Sequence, residues 1–521
     1  MEIFTNCHSI WDEMDYDLPI FQMKYLSEKH SEVFELLRYF TSHYEHWINK
    51  QESVLKRASS ENLQMNQHNL EQCRAACAQM NKTIDLLENE SHLDFPAAWI
   101  AFRFANRAMY LQRKQSLENE IINENNSIRW YPVQLAFILY ELLSFIKPKS
   151  EERKTVELIW IPEGTGKTEA YLGISAFVIF LRRLRNVSDH GVTVIFKTAS
   201  RFSAQQLFDR ASKMIIACEI VRSETMLFGC PISIGLWIKD NTIPNNLKVA
   251  QRCLKKIVQQ FVPRQNPIRI NYCPWCGFPL KEDNYFIDLD EKRMNIKCSN
   301  PECETSSFQN GLPIYLIDES IYEHQPSLLV TTIDKFAPIP FCTEMFKIFG
   351  KSSQEYENDK TPPNLIIQSE VPAISGPLGR LVGDYEVLID KLSNNKGIPA
   401  KIIVSTEDVR EAGKQLKSLY GRECTIFPPL EISHDSYFFP IIKNFDVRGL
   451  KIMFITFCKF YVKEFADCHH GDKFDKDNPV IYKVKDFIIS YIKRADSQRA
   501  SVAEKEINRI IDEWQKAARS I

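Results

Sequence analysis

From residue 20 to about 125, apolar side chains recur every third or fourth position, as in "SEVFELLRYFTSHYEHWINKQESVLKRA" and "LEQCRAACAQMNKTIDLLENE". That period lays one apolar stripe along a helix. The segment therefore predicts long helices, packed as a hairpin on themselves or on the next domain. Sustained heptads are missing, which argues against a partner-binding coiled coil. From about 127 to 260 the pattern changes to short β-branched runs alternating with helices, as in "VELIWI", "KTEAYLGISAFVIFLRRLR" and "VTVIFKTAS". Such alternation predicts a parallel sheet with crossover helices.

Residues 262 to 312 break this rhythm with Pro, Gly and four close cysteines, and it returns in "SLLVTTIDKFA", "NLIIQSEV" and "KIIVSTEDV". An insert thus interrupts one α/β lobe. The expected organisation is an N-terminal helical domain (1–126), a first part of the lobe (127–261), the insert (262–312), a second part (313–430) and a C-terminal helical tail (431–521). The tail's last segment, "VAEKEINRIIDEWQKAARSI", has helical spacing.

Composition adds limits rather than a function. With 44% hydrophobic and 25% charged residues the chain reads as globular, and 521 residues suggest several cores. A net charge of -2 and a pI near 6.6 argue against a protein that coats nucleic acid, so any such contact must come from a local groove. The N-terminus has no basic start followed by an apolar segment, and the longest apolar runs fall short of the ~20 residues that cross a bilayer. A cytoplasmic protein is expected, with no membrane partner. Ten of the fourteen cysteines are scattered, which suits reduced thiols.

Two motifs carry chemistry. In "VELIWIPEGTGKTEAYLG" an apolar strand ends in a glycine turn and a helix comes next. Gly164, Thr165 and Gly166 form the turn, with no Cβ at the two glycines to block a phosphate. The free N–H groups and positive end of the helix face the same anion. Lys167 would contact the β- and γ-phosphates, and the Thr168 hydroxyl would reach Mg²⁺. In the preceding "WYPVQLAFILYELL", Gln134 is placed to read an adenine edge while Tyr131 or Trp130 stacks on the ring. The second motif is Cys273-x2-Cys276, a gap of 21 residues, then Cys298-x4-Cys303, with a hairpin pattern between the pairs. Four thiolates suit structural, tetrahedral Zn²⁺ with no open position. Trp275 with Arg264, Arg269, Lys292, Arg293 and Lys297 forms a candidate nucleic-acid surface on this ribbon.

The ordered set "FRFANRAMYLQR", "WYPVQLAFILYEL", "EGTGKTEAYLGISAFVIFLRRLR", "CPWCG", "LPIYLIDESIY", "VTTIDKFA", "ISGPLGRLVGDYEVLID" and "AGKQLKSLYGR" resembles a superfamily 2 helicase, and more narrowly the helicase subunit of DISARM anti-phage systems, the DrmA family. The resemblance runs from about residue 100 to 430. It implies a RecA-like ATP-binding lobe with an inserted zinc element, working on DNA beside other defence proteins. The departures are specific. Where the family has Asp-Glu-x-His after a strand, this chain has "QSEV": Ser369 stands at the Mg²⁺-organising position, and Glu370 remains where it would orient the attacking water. Glu407 and Asp408 intrude in the coupling motif, and Glu163 brings a negative charge to the turn. "IYLIDES" offers Asp318 and Glu319 as a competing acidic site. A second lobe, on the order of 130 residues, does not fit after residue 430, so its arginine fingers are expected to be absent. Three functions are compatible with this pattern: a nucleotide- and DNA-binding subunit with impaired or absent hydrolysis, an active ATP-dependent translocase completed by a partner, or a non-enzymatic scaffold.

Overall fold

The computed structural model describes residues 18–56, 63–90, 97–117, 128–160, 166–351, 360–369, 374, 376–406, 412–429 and 438. The helical region comprises α1 (Met23–Ser27), α2 (Val33–Leu55), α3 (Leu63–Glu90) and α4 (Ala97–Leu117). As the period predicts, α2 and α3 form an antiparallel pair, held at the surface by Arg38 with Asp85 and Glu88 and by Arg74 with Glu52. The pair is also anchored inward, because Gln79 Nε2 donates to the Tyr140 carbonyl at 2.8 Å.

The sheet begins after α5 (Pro132–Ile146), which is buried along its whole length. In chain order come β1 (Val156–Ile159), α6 (Lys167–Arg185), β2 (Val194–Thr198), α7 (Arg201–Glu224), β3 (Ile234–Trp237) and α8 (Leu247–Val258). The antiparallel hairpin β4 (Tyr285–Asp288) and β5 (Arg293–Ile296) is next, with Phe286 opposite Asn295. Then come β6 (Ile314–Tyr315), α9 (Asp318–His324), β7 (Leu328–Thr332), β8 (Leu365–Gln368), α10 (Gly376–Leu392), β9 (Lys401–Ser405), α11 (Ala412–Tyr420) and β10 (Cys424–Phe427).

Eight strands, all parallel, lie in the order β10-β1-β9-β8-β2-β7-β3-β6. This is a RecA-like α/β sheet, and the hairpin stays outside it as a separate two-stranded element. β1 is buried on both faces, the reason it reads as an apolar run rather than an alternation. Ile159, Phe196 and Ile367 join the core shared with α2 to α7, while Val156, Leu158, Ile195 and Ile366 face a second core with Ile389 of α10 and Leu416 of α11. No helix among the described residues is long and apolar enough to cross a membrane.

Candidate nucleotide site and metal centre

Parallel strands deliver all their C-terminal ends to one edge of the sheet. β1 leads there towards the glycine turn. Glu163, Gly164 and Thr165 lie outside the described residues. Gly166 is described, and it caps α6 in the left-handed region at φ +80°. The Glu169 N–H donates to its carbonyl at 3.1 Å, and Lys167 and Thr168 open the helix half-buried. Only glycine fits here, because a Cβ would overlap the Gln134 amide nitrogen as well as straining the backbone.

Gln134 is therefore seated on the cradle itself. Its Nε2 donates to the Gly166 carbonyl at 2.9 Å, and its Oε1 accepts from the Tyr131 N–H at 2.8 Å. One amide thus ties the start of α5 to the start of α6. The aromatic pair beside it divides. Tyr131 is exposed, whereas Trp130 is buried, donates from Nε1 to Asn106 at 2.7 Å and packs against Gly173 of α6. The expectation that Trp130 stacks on a base is corrected: its ring is core.

β8 is two strands from β1, with β9 between them, which is about 10 Å at ordinary strand spacing. Ser369 comes after β8 at the same edge. Its N–H donates to the Lys197 carbonyl at 3.0 Å, and its Oγ lies 3.4 Å from the same oxygen. Glu370, Glu407 and Asp408 lie outside the described residues. Beneath Ser369, the fully buried Lys197 on β2 pairs with Glu386 of α10 and lies over the Tyr420 ring.

The competing acidic pair is elsewhere. Asp318 comes after β6, the sixth strand from β1, roughly 29 Å away by strand spacing. Burial pushes its carboxyl above the usual range against the pull of Lys335, whose Nζ is 2.6 Å away. Glu319 accepts from the Leu247 N–H at the start of α8. Asp318 is thus half of an internal ion pair and Glu319 a cap. Neither can serve a metal bound at Thr168.

The ribbon converges as its spacing predicts. The ligand atoms of Cys273, Cys276, Cys298 and Cys303 all lie within 4.8 Å of one another. Tetrahedral Zn–S bonds of about 2.3 Å would set the sulfurs about 3.8 Å apart, so the four thiols fit a zinc ion after small adjustment. Gly277 turns the first knuckle at φ +73°, and the Cys273 N–H donates to the Phe278 carbonyl at 2.7 Å. Thr305 Oγ1 lies 3.0 Å from the Cys303 sulfur, a partner that the spacing gave no sign of. Burial pushes the Cys273 thiol up to about 11; an ion bound there would have to displace its proton. The ribbon's nucleic-acid surface needs correction. Trp275 is buried, Arg293 is buried over the Tyr315 ring, and Arg269 and Lys292 pair with Asp240 and Glu323. Arg264 and Lys297 are exposed.

No family model matches the chain. A DISARM protein DrmA from Bacillus paralicheniformis is 32% identical over an alignment spanning 498 positions, covering 84% of this chain and 43% of that protein. The chain is a relative of DrmA. It spans less than half the length of that DrmA protein. Two solved structures of the DUF1998 helicase MrfA, one bound to DNA, align at 10% identity with TM-scores of 0.32 and 0.33. They cover 61% and 74% of this chain and 29% and 41% of theirs.

Proposed function

We propose that this relative of DrmA is a helicase-like, nucleotide- and DNA-binding subunit of a bacterial anti-phage defence system, in the cytoplasm, with weak or absent ATP hydrolysis. Ser369 is the observation that carries the proposal. It occupies the end of the strand where the family's resemblance calls for a metal-ordering carboxylate, and a neutral hydroxyl cannot balance a divalent cation. Support for retained binding comes from the other half of the site: Gly166, Lys167 and Thr168 at the head of α6, and Gln134 bonded to the turn. Gly164 and Thr165 complete the proposed cradle, and Glu370 is the proposed orienter of water. When bound, Mg²⁺ would supply charge neutralisation at the phosphates.

The proposed division treats residues 127–261 and 313–430 as two parts of one lobe. Strands from both share one sheet, and 262–312 carries the separate hairpin and the four cysteines that would hold zinc. DNA and other defence proteins are the proposed partners.

The test uses the full chain with Mg²⁺-ATP and DNA. A fluorescent ATP analogue should bind, and Lys167→Ala should abolish that binding. Turnover should stay below about 1 s⁻¹, the low end of common enzyme rates, and Ser369→Asp should raise it. Turnover at or above about 1 s⁻¹ in the natural sequence, lost in Lys167→Ala, would overturn the proposal.

A further inference from the structure

Between Asp240 and Glu282 the chain carries seven lysines and arginines and no acidic side chain, in a protein whose net charge is -2. Four of the seven, Lys248, Arg252, Lys255 and Lys256, lie on α8, and all four are exposed. Spacings of four, seven and eight residues gather them on one face of the helix. Leu247, Ala250 and Leu254 lie on the opposite face and are buried. The helix is firmly started, since Asn246 Oδ1 accepts from the Lys248 N–H at 2.8 Å and Glu319 accepts from the Leu247 N–H at 2.8 Å.

Among the described residues none of the four cations is paired with a carboxylate, whereas nearby Arg269 is paired with Asp240 at 3.1 Å. Glu282 and Asp283 sit in the short turn packed against α8, yet neither forms an ion pair with it. Like charges four residues apart repel, and the helix dipole opposes a cation in the first turn, where Lys248 lies. The row therefore has a cost that folding alone does not explain. At its far end the helix closes in a fixed turn: the Phe261 N–H donates to the Lys256 carbonyl at 2.9 Å, with Gln260 in the left-handed region at φ +65°. That turn holds the Phe261 side chain, 65% exposed, directly beyond the basic row.

We propose that this face of α8 is a track for single-stranded DNA, with Lys248, Arg252, Lys255 and Lys256 on the phosphates and Phe261 stacked on a base. The proposal rests on the DNA binding put forward above and assigns it to a surface. From Lys248 to Lys256 the helix rises about 12 Å, which spans about three phosphates of a stacked strand. Cations beside an open aromatic face are the combination that grips a single strand. A duplex offers the phosphates but keeps its base faces stacked away from Phe261, and an acidic protein segment offers no ring to stack. The track is separate from the phosphate cradle: β3, which leads to α8, is five strands from β1, about 24 Å at ordinary spacing.

The test measures binding of the full chain to a fluorescein-labelled single-stranded oligonucleotide by anisotropy over a range of KCl, without ATP. Replacing Lys248, Arg252 and Lys256 together by Gln should weaken binding about tenfold or more and flatten the plot of log affinity against log salt by about two, at roughly 0.7 per phosphate contact. Phe261→Ala should weaken it about fivefold or more, the loss of one stacked base, and leave the slope unchanged. All four positions are exposed, so an unchanged thermal midpoint sets misfolding aside. The control replaces Lys24, Lys29 and Lys50, exposed lysines of the helical region, by Gln, and should leave affinity within about twofold, less than one phosphate contact supplies. DNA binding that persists in both α8 variants, or falls as much in the control, would overturn the track and leave the DNA-binding reading standing. A duplex of the same length that binds more tightly, or polyglutamate that competes as well as the oligonucleotide, would overturn it too. No DNA binding by the natural sequence would end both.

Discussion

At the residue scale, glycine and its neighbours show how closely the cradle is packed. Gly173, one turn and a half into α6, faces the buried Trp130 ring, where an added Cβ would stand 2.8 Å from a ring carbon. That ring is fixed by its bond to Asn106, so it has little room to retreat. Gly173→Ala should cost about 1–3 kcal/mol by overpacking and shift the denaturant midpoint down. Gly383 in α10 is the control. A Cβ there meets nothing within 4 Å among the described residues, so Gly383→Ala should be neutral or stabilising by up to about 1 kcal/mol, since alanine is the better helix former. Equal effects at the two positions would show that the Trp130 contact does not limit the fold. The roles of single residues were the least legible part of the sequence. Trp130 and Trp275 read as stacking candidates and are core, because an aromatic side chain has the same identity whichever way the backbone turns it. Asp318 read as a competing metal site that motif order disfavoured, and its partner Lys335 lies in the 3-10 turn just beyond β7.

At the element scale the sequence was much more transparent. The runs "VELIWI", "VTVIFKTAS", "SLLVTTIDKFA", "NLIIQSEV" and "KIIVSTEDV" contain β1, β2, β7, β8 and β9, since strands buried on both faces must be continuously apolar. A signal inside those runs was available and unused. Glu157, Lys197 and Lys401 are single charges within buried strands, and each demands a partner: Glu157 and Lys401 face each other on adjacent strands, with Glu141 and the Glu152 carbonyl also near Lys401, and Lys197 pairs with Glu386 of α10. The cysteine ribbon was legible for the opposite reason: its short spacing confines the ligands without help from tertiary structure. If the four thiols hold zinc, elemental analysis should find about one zinc per chain. Cys273→Ser should lose it, and chelation should lower the melting midpoint by more than about 5 °C, because metal bound only by the folded ribbon stabilises it. Trace zinc together with an unmoved midpoint would leave the cysteines as an ordinary reduced cluster.

At the scale of the whole molecule the sheet separates two chemistries onto opposite ends. The C-terminal edge holds Gly166 and Ser369, whereas a buried ionic network sits towards the N-terminal ends of β1 and β9. There Lys401 Nζ lies 3.5 Å from Glu157 and 3.8 Å from Glu141, and it donates to the Glu152 carbonyl at 2.9 Å. Thr425 of β10 and Tyr140 of α5 both donate to Glu157, so the network joins the helical layer to three strands. Glu141 carries the strain, with neither carboxyl oxygen hydrogen-bonded. Burial outweighs the attraction of Lys401 and raises its pKa to about 8. In the unfolded chain the same group titrates near 4.3. Between about pH 4.3 and 8 the unfolded chain therefore gives up a proton that the native state keeps. Native Glu141 binds more protons, so its contribution to stability falls as pH rises through this window and is least unfavourable at the acid end. Glu141→Gln keeps the shape and removes the titration. Its thermal midpoint should gain on that of the natural sequence as pH is raised from 5 to 8. Parallel curves across that range would mean that Lys401 holds Glu141 ionised in the native fold, and the network would then stabilise the junction of helices and sheet as a true salt bridge.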